Sequence, residues 1–206
     1  MTDRIVAAFD FDGTITTSDS FRHFVRYAIG LPRFAWAGLR ALPWIVAMKA
    51  GLISRGDSKA KFAWFALGPA SDDSLDAVAC RFVEAVLPRL VRPEMLERVR
   101  EHRARGHAVV LVSASPSLYL EKWAASVGFD AVLATRLAFE QGVFAGRLDG
   151  ENCWGAQKVV RLRAWWGDRP PEQLFAYGDS RGDREMAALA NRSWIRGHGA
   201  MPRIDG

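Results

Sequence analysis

Two carboxylates two residues apart, Asp10 and Asp12, end an apolar run from Ile5 to Phe9, and Gly13 and Thr14 follow at once (IVAAFDFDGT). In extended chain, residues i and i+2 point to the same side, so the pair converges on one spot. Like charges so close repel unless a cation neutralises them or one acid keeps its proton. Either solution suggests chemistry: a carboxylate to attack or bind metal, and an acid to move a proton. A second pair, Asp179 and Asp183 in GDSRGD, follows another apolar run and shares one face if the first helical turn spans both. Between the pairs, HAVVLVSAS ends in Ser113, Ala114 and Ser115 just before Pro116. Small hydroxyl residues where a strand meets a helix amino terminus make a ready anion site. Lys158 lies in the first turn of an amphipathic segment, where a lone lysine is ordinarily a solvated charge.

These groups need elements that deliver them to one place. A short apolar run ending in Gly reads as a buried strand of a parallel sheet, and open α/β sheets bind ligands at the carboxyl ends of their strands. By the same signals, further strands are expected at 107–115, 131–135 and 173–177, with a hairpin over 137–148 around Gln141-Gly142 and an edge strand at SWIRG. Helices are expected from Ser20, with Phe21, Phe24 and Val25 on one face, and over 54–66, 72–87, 93–105 and 156–166, with another opening at Pro116. Residues 29–53 are strongly apolar and aromatic but interrupted by Arg33, Arg40, Lys49, Pro32 and Pro43, which suggests a buried or interfacial helical hairpin. Their longest uncharged apolar run, 41–48, is far short of the ~20 residues of a membrane span. The fold class is therefore α/β: a parallel-sheet core from 1–15 and 93–206, with a mostly helical cap domain, 16–92, inserted after the first strand.

Composition narrows the partners. With 206 residues, half of them apolar, the chain can bury a sizeable core. Its 28 basic and 23 acidic residues favour an anionic partner, but the cations are scattered, so nucleic acid is not expected. Cys80 and Cys153 form no CxxC or Cys/His cluster, which argues against zinc and a disulfide framework and fits a reducing cytoplasm. No signal peptide is expected, because no apolar stretch of that type precedes the first strand. No spacing specifies an oligomeric state.

In order, DxDGT, a strand ending in Ser, a Lys and GDxxxD resemble the motifs of the haloacid dehalogenase (HAD) superfamily of phosphatases. The helical block after DxDGT resembles the cap of its phosphoserine-phosphatase-like branch. Residues 29–66 and CWGAQKV are similar to bacterial phosphatidylglycerophosphate phosphatases of the HAD type.

The resemblance implies a Rossmann-like core in which Asp10 attacks phosphorus and carries an aspartyl-phosphate. Asp12 would protonate the leaving oxygen and then activate water; a dehalogenase would need no such acid. Mg²⁺ suits oxygen-only ligands around phosphate. Its implied ligands are the Asp10 carboxylate, the Asp12 backbone carbonyl and Asp179, with Asp183 direct or through water. Ser113, the Ala114 N–H and Lys158 would hold the phosphate oxygens. In the family's phosphoserine phosphatases an acid nine positions after the nucleophile meets the substrate's amino group, and Asp19 stands there. Arg55, Lys59 and Lys61 are candidates for a cap cation facing the substrate.

The expected substrate is a lipid phosphate such as phosphatidylglycerophosphate. Phosphoserine or another small phosphomonoester is the alternative, and a phosphate-binding module without turnover is a third class. Trp36, Trp44 and Trp64, with cations between them, suggest peripheral contact with an anionic membrane at its cytoplasmic face.

Overall fold

The computed structural model describes residues 4–204. Six strands form one sheet: β1 (Ile5–Phe9), β2 (Ala108–Pro116), β3 (Ala131–Glu140), β4 (Val143–Asp149), β5 (Gln173–Gly178) and β6 (Arg192–Ile195). Their order is β4-β3-β2-β1-β5-β6, and every pairing is parallel except β3 with β4. Seven helices accompany it: α1 (Ser20–Lys49), α2 (Arg55–Leu67), α3 (Asp72–Ala85), α4 (Pro93–Ala104), α5 (Ser117–Val127), α6 (Ala156–Trp166) and α7 (Arg184–Leu189).

β1 is central because both of its faces are apolar. Ala7 and Phe9 join one buried cluster with Leu111, Tyr119, Phe175 and Tyr177, while Val6 and Ala8 join another with Val110, Val112, Leu162 and Met186. Burial on both faces is what a strand with a continuous apolar run requires. Phe9 pairs with Leu111 on one side and Tyr177 on the other, so Asp10, Ser113 and Asp179 come to one edge of the sheet, where β1 and β5 end and β2 runs on to Pro116. The helices between β1 and β2 share the first cluster through Phe24, Ala63, Leu75 and Phe82.

Two expectations need correction. Residues 29–53 do not form a hairpin: α1 breaks at Gly30 (φ +76°, ψ 165°) and then runs helical to Lys49. Pro32 falls in the first turn after that break, where its missing N–H costs nothing. The hairpin is made instead by this part of α1 and α2, after the Ser54–Asp57 capping box starts α2. The third strand does not stop at Thr135 either. β3 continues to Glu140 and forms the hairpin itself, turning through Gln141 (φ 49°) and Gly142 (φ 77°) into β4. Two successive positive φ values are what a tight two-residue hairpin demands.

Candidate active site

Asp10 leaves β1 buried, and its two oxygens have separate partners. Oδ2 accepts from the Thr14 hydroxyl at 3.1 Å and Oδ1 from Lys158 Nζ at 2.5 Å. Lys158, on the first turn of α6 and 1% exposed, also reaches Asp183 Oδ1 at 2.5 Å. Here the lysine is a buried clamp between two carboxylates rather than a solvated surface charge. Burial alone pushes its pKa down, but Asp10 and Asp183 overcome that and hold it protonated.

Asp12 is fixed differently. The chain between Phe11 and Ile15 makes a wide turn in which Gly13 takes φ +79°. Any Cβ there would collide with the Asp179 carboxylate, so the turn requires Gly. Asp12 Oδ1 accepts the Ser20 N–H at 2.7 Å, at the start of α1, and Oδ2 accepts a short hydrogen bond from the Ser115 hydroxyl. Ser20 Oγ lies 2.8 Å from the Tyr119 hydroxyl, so the Asp12 clamp extends into α5.

Asp179 and Asp183 do not sit on one helical face. α7 begins only at Arg184, and Asp183 ends a 3-10 turn, Arg181–Asp183. Its carboxylate folds back instead: Oδ2 accepts the N–H groups of Asp179 (3.2 Å) and Ser180 (3.0 Å) and the Ser180 hydroxyl (3.0 Å). Oxygens of Asp10, Asp179 and Asp183 all lie within 4.8 Å of one another.

The electrostatics reflect this crowding. Burial, reinforced by Asp183 and Asp12 and opposed by Lys158, pushes the Asp10 carboxyl up to about 7. Burial and then the Asp19 charge raise Asp12, and burial and then Asp183 raise Asp179. Burial also works on Asp183, but Lys158 and the turn amides outweigh it and hold that carboxyl below its ordinary range. Carboxylate oxygens of Asp10, Asp179 and Asp183 gathered at one point are hard donors that fit a divalent cation such as Mg²⁺.

Asp10, Asp12, Lys158 and Asp183 line a cavity of about 480 Å³ whose opposite wall comes from α1 and α2. Ser113, buried, is on the lining with Ala114 beside it. Lys59 crosses from α2 to donate to the Ala114 carbonyl at 2.6 Å, and burial lowers its pKa. Arg55 lines the same cavity with its guanidinium 4.6 Å over the Trp154 ring. Asp19 is at the mouth, where it caps α1 by accepting the Arg22 N–H at 2.9 Å. Lys61 is not part of the site: it is exposed and faces a separate depression beside Arg147 and Leu148 of β4. Two residues on from Lys59, its side chain is turned about 200° around α2, away from the face through which Lys59 reaches the cavity.

Sequence reading missed several contacts that hold the site. The bond from Ser115 to Asp12 was recoverable, since Ser115 shares a strand face with Ser113. Ser20 and Tyr119 were not, because 99 positions separate them and only the fold joins them. The apolar wall, Phe21, Phe34, Ile45, Met48 and Phe62, gave no signal beyond helical amphipathicity.

The profile of the haloacid dehalogenase-like hydrolases matches residues 7–188. Protein CicA of Caulobacter vibrioides is 39% identical over 194 residues, covering 93% of this chain and 86% of that protein. A Bordetella pertussis protein of unknown function superposes with a TM-score of 0.80 at 25% identity, over 94% of this chain and 90% of that one. A phosphoserine phosphatase carrying a phospho-aspartyl intermediate analogue superposes with a TM-score of 0.66 at 20% identity, over 94% and 87%. The chain belongs to the haloacid dehalogenase-like hydrolases, and its fold is shared with solved phosphoserine phosphatases.

Proposed function

We propose that this phosphatase hydrolyses a phosphomonoester with an apolar leaving alcohol, a lipid phosphate such as phosphatidylglycerophosphate, through an aspartyl-phosphate on Asp10. The observation that carries the reading is the two-sided cavity, with Asp10 and Lys158 on its floor and Phe34, Ile45 and Met48 on its wall. An apolar wall adds affinity only for a substrate with apolar surface to bury.

A carboxylate oxygen of Asp10 attacks phosphorus as the ester P–O bond breaks, and Asp12 gives its proton to the departing alkoxide. Asp12, now a carboxylate, takes a proton from water as that water attacks phosphorus, releasing phosphate and restoring Asp10. Ser20 and Ser115 keep Asp12 aimed in both steps. Lys158, the Ser113 hydroxyl and the Ala114 N–H bind the phosphoryl oxygens and stabilise their developing charge. Asp10, the Asp12 carbonyl and Asp179 would hold Mg²⁺, with Asp183 direct or through water, and the cation would neutralise phosphoryl charge. In this reading residues 16–92 act as the cap that selects the alcohol, since the core recognises only phosphate.

Asp19 at the mouth favours a second reading, phosphoserine, whose ammonium group it could meet. Phosphate release from phosphatidylglycerophosphate, phosphatidic acid, phosphoserine and sugar phosphates, with Mg²⁺ and with chelator, separates the two. Selective Mg²⁺-dependent turnover of a lipid is expected. Preference for phosphoserine would overturn the lipid assignment, and no turnover by folded protein would leave only a phosphate-binding module.

A further inference from the structure

Among the described residues, none covers the outer face of α1 after Gly30. Leu31, Leu39, Leu42 and Val46 are 56, 65, 48 and 64% exposed, and Leu52 in the following turn is 78% exposed. With Ala35 the four on the helix recur at steps of three and four residues, so they form one stripe along it, with Leu52 just past its end. Large apolar side chains scattered singly on a surface are ordinary, but a continuous stripe marks an interaction face.

Charge identifies what that face meets. Six of the chain's 28 basic residues and none of its 23 acidic ones fall between Ser20 and Gly56. The remaining residues hold 22 basic against 23 acidic, so this segment carries the whole positive surplus of the protein. Lys49 lies at one edge of the stripe, and Arg40 and Arg33 lie further round the helix beyond Trp36, all three exposed. Trp36, 54% exposed, sits beside Arg40, whose guanidinium is 4.7 Å over the indole. Apolar side chains rimmed by cations and tryptophan suit the boundary between lipid headgroups and acyl chains. A second copy of the chain would not fit: a two-fold pairing through this face opposes like cations with no acid to relieve them. Among the described residues no helix is long and apolar enough to cross a membrane, so such a helix lies along the surface.

We propose that the outer face of α1 from Leu31 to Val46, continued by Leu52 in the following turn, docks on an anionic lipid bilayer. The inner face of the same helix lines the catalytic cavity through Phe34, Ile45 and Met48. About 10 Å, one helix diameter, therefore separates the docking face from the site. The docking deepens the lipid-phosphate reading and rests on it for its purpose, although the binding can be measured without turnover.

The test is co-sedimentation of the full chain carrying Asp10→Asn with vesicles of phosphatidylcholine alone or with added phosphatidylglycerol, a phosphodiester that offers no phosphomonoester to the site. Expected is binding to the anionic vesicles that weakens with salt, and about fivefold weaker binding for each of Arg33→Gln and Lys49→Gln. Leu39→Ser with Val46→Ser, in an otherwise wild-type chain, should lower binding at least as much while leaving hydrolysis of soluble p-nitrophenyl phosphate unchanged, which verifies folding. Equal binding to both vesicle types, no binding at low salt, or a lipid-free dimer abolished by the Leu39/Val46 pair would overturn the proposal. Vesicle binding without lipid-phosphate hydrolysis keeps the docking face and removes the substrate assignment; hydrolysis of dispersed lipid without vesicle binding does the reverse.

Discussion

At the ends of β1, β2 and β5, Lys158 and Asp183 are 1% exposed and charge is enclosed by charge, whereas across the cavity α1 leaves Leu39 65% exposed to solvent. The floor is over-determined: Asp183 alone takes hydrogen bonds from Lys158, two backbone amides and a hydroxyl. The wall is held by packing, with α1 lying against α2 and Phe34 and Phe21 meeting Phe62 edge to face. Buried, fully paired ions tolerate little displacement, while apolar side chains can re-pack around different ligands. The difference assigns chemistry to the floor and choice of alcohol to the wall.

The sharpest break between the two is Asp10→Asn. It keeps the shape of the floor but removes the nucleophile, and turnover of every substrate should fall by at least about 10³-fold. Lys158→Met comes next, since it leaves Asp10 and Asp183 as an unrelieved buried pair. Its unfolding free energy should drop by about 3 to 5 kcal/mol, read from denaturant midpoints, with Mg²⁺ restoring more stability to the variant than it adds to the parent. A loss no larger than that of an exposed wall substitution would remove the claim that the floor is held electrostatically.

Legibility in the sequence follows the same division. The floor could be read because its side chains sit at fixed registers: Asp10, Ser113 and Asp179 each follow an apolar run that must be buried, and the parallel register of β1 with β2 and β5 brings them together. Lys158 acquired meaning only from those neighbours. The wall could not be read, because Pro32 and Pro43 look like breaks while one is in a first turn and the other is accommodated within a continuous helix. The true break is Gly30, whose positive φ no neighbouring residue announces. Lys59 and Lys61 show the limit in miniature: two residues apart on α2, one reaches Ala114 and the other faces β4.

A smaller effect separates two functions inside the floor. Ser115→Ala frees one oxygen of Asp12, so hydrolysis of an alkyl phosphate should slow about tenfold to a hundredfold. p-Nitrophenyl phosphate, whose leaving group departs without a proton, should be nearly unaffected; equal slowing of both would take the acid role from Asp12. The smallest effect belongs to the wall. Ile45→Ser should raise KM for a long-chain lipid phosphate about fivefold to tenfold and leave kcat for p-nitrophenyl phosphate unchanged. No change in either would make the wall mere packing.

The central claim, that phosphate passes through Asp10, is tested most directly by trapping the intermediate. Protein quenched in acid during turnover of a ³²P-labelled phosphomonoester, then treated with borohydride and mapped by mass spectrometry, should carry label before reduction and homoserine at position 10 after it. The Asp10→Asn chain should carry neither. Full turnover with no acid-stable label, or with label at another residue, would contradict the account.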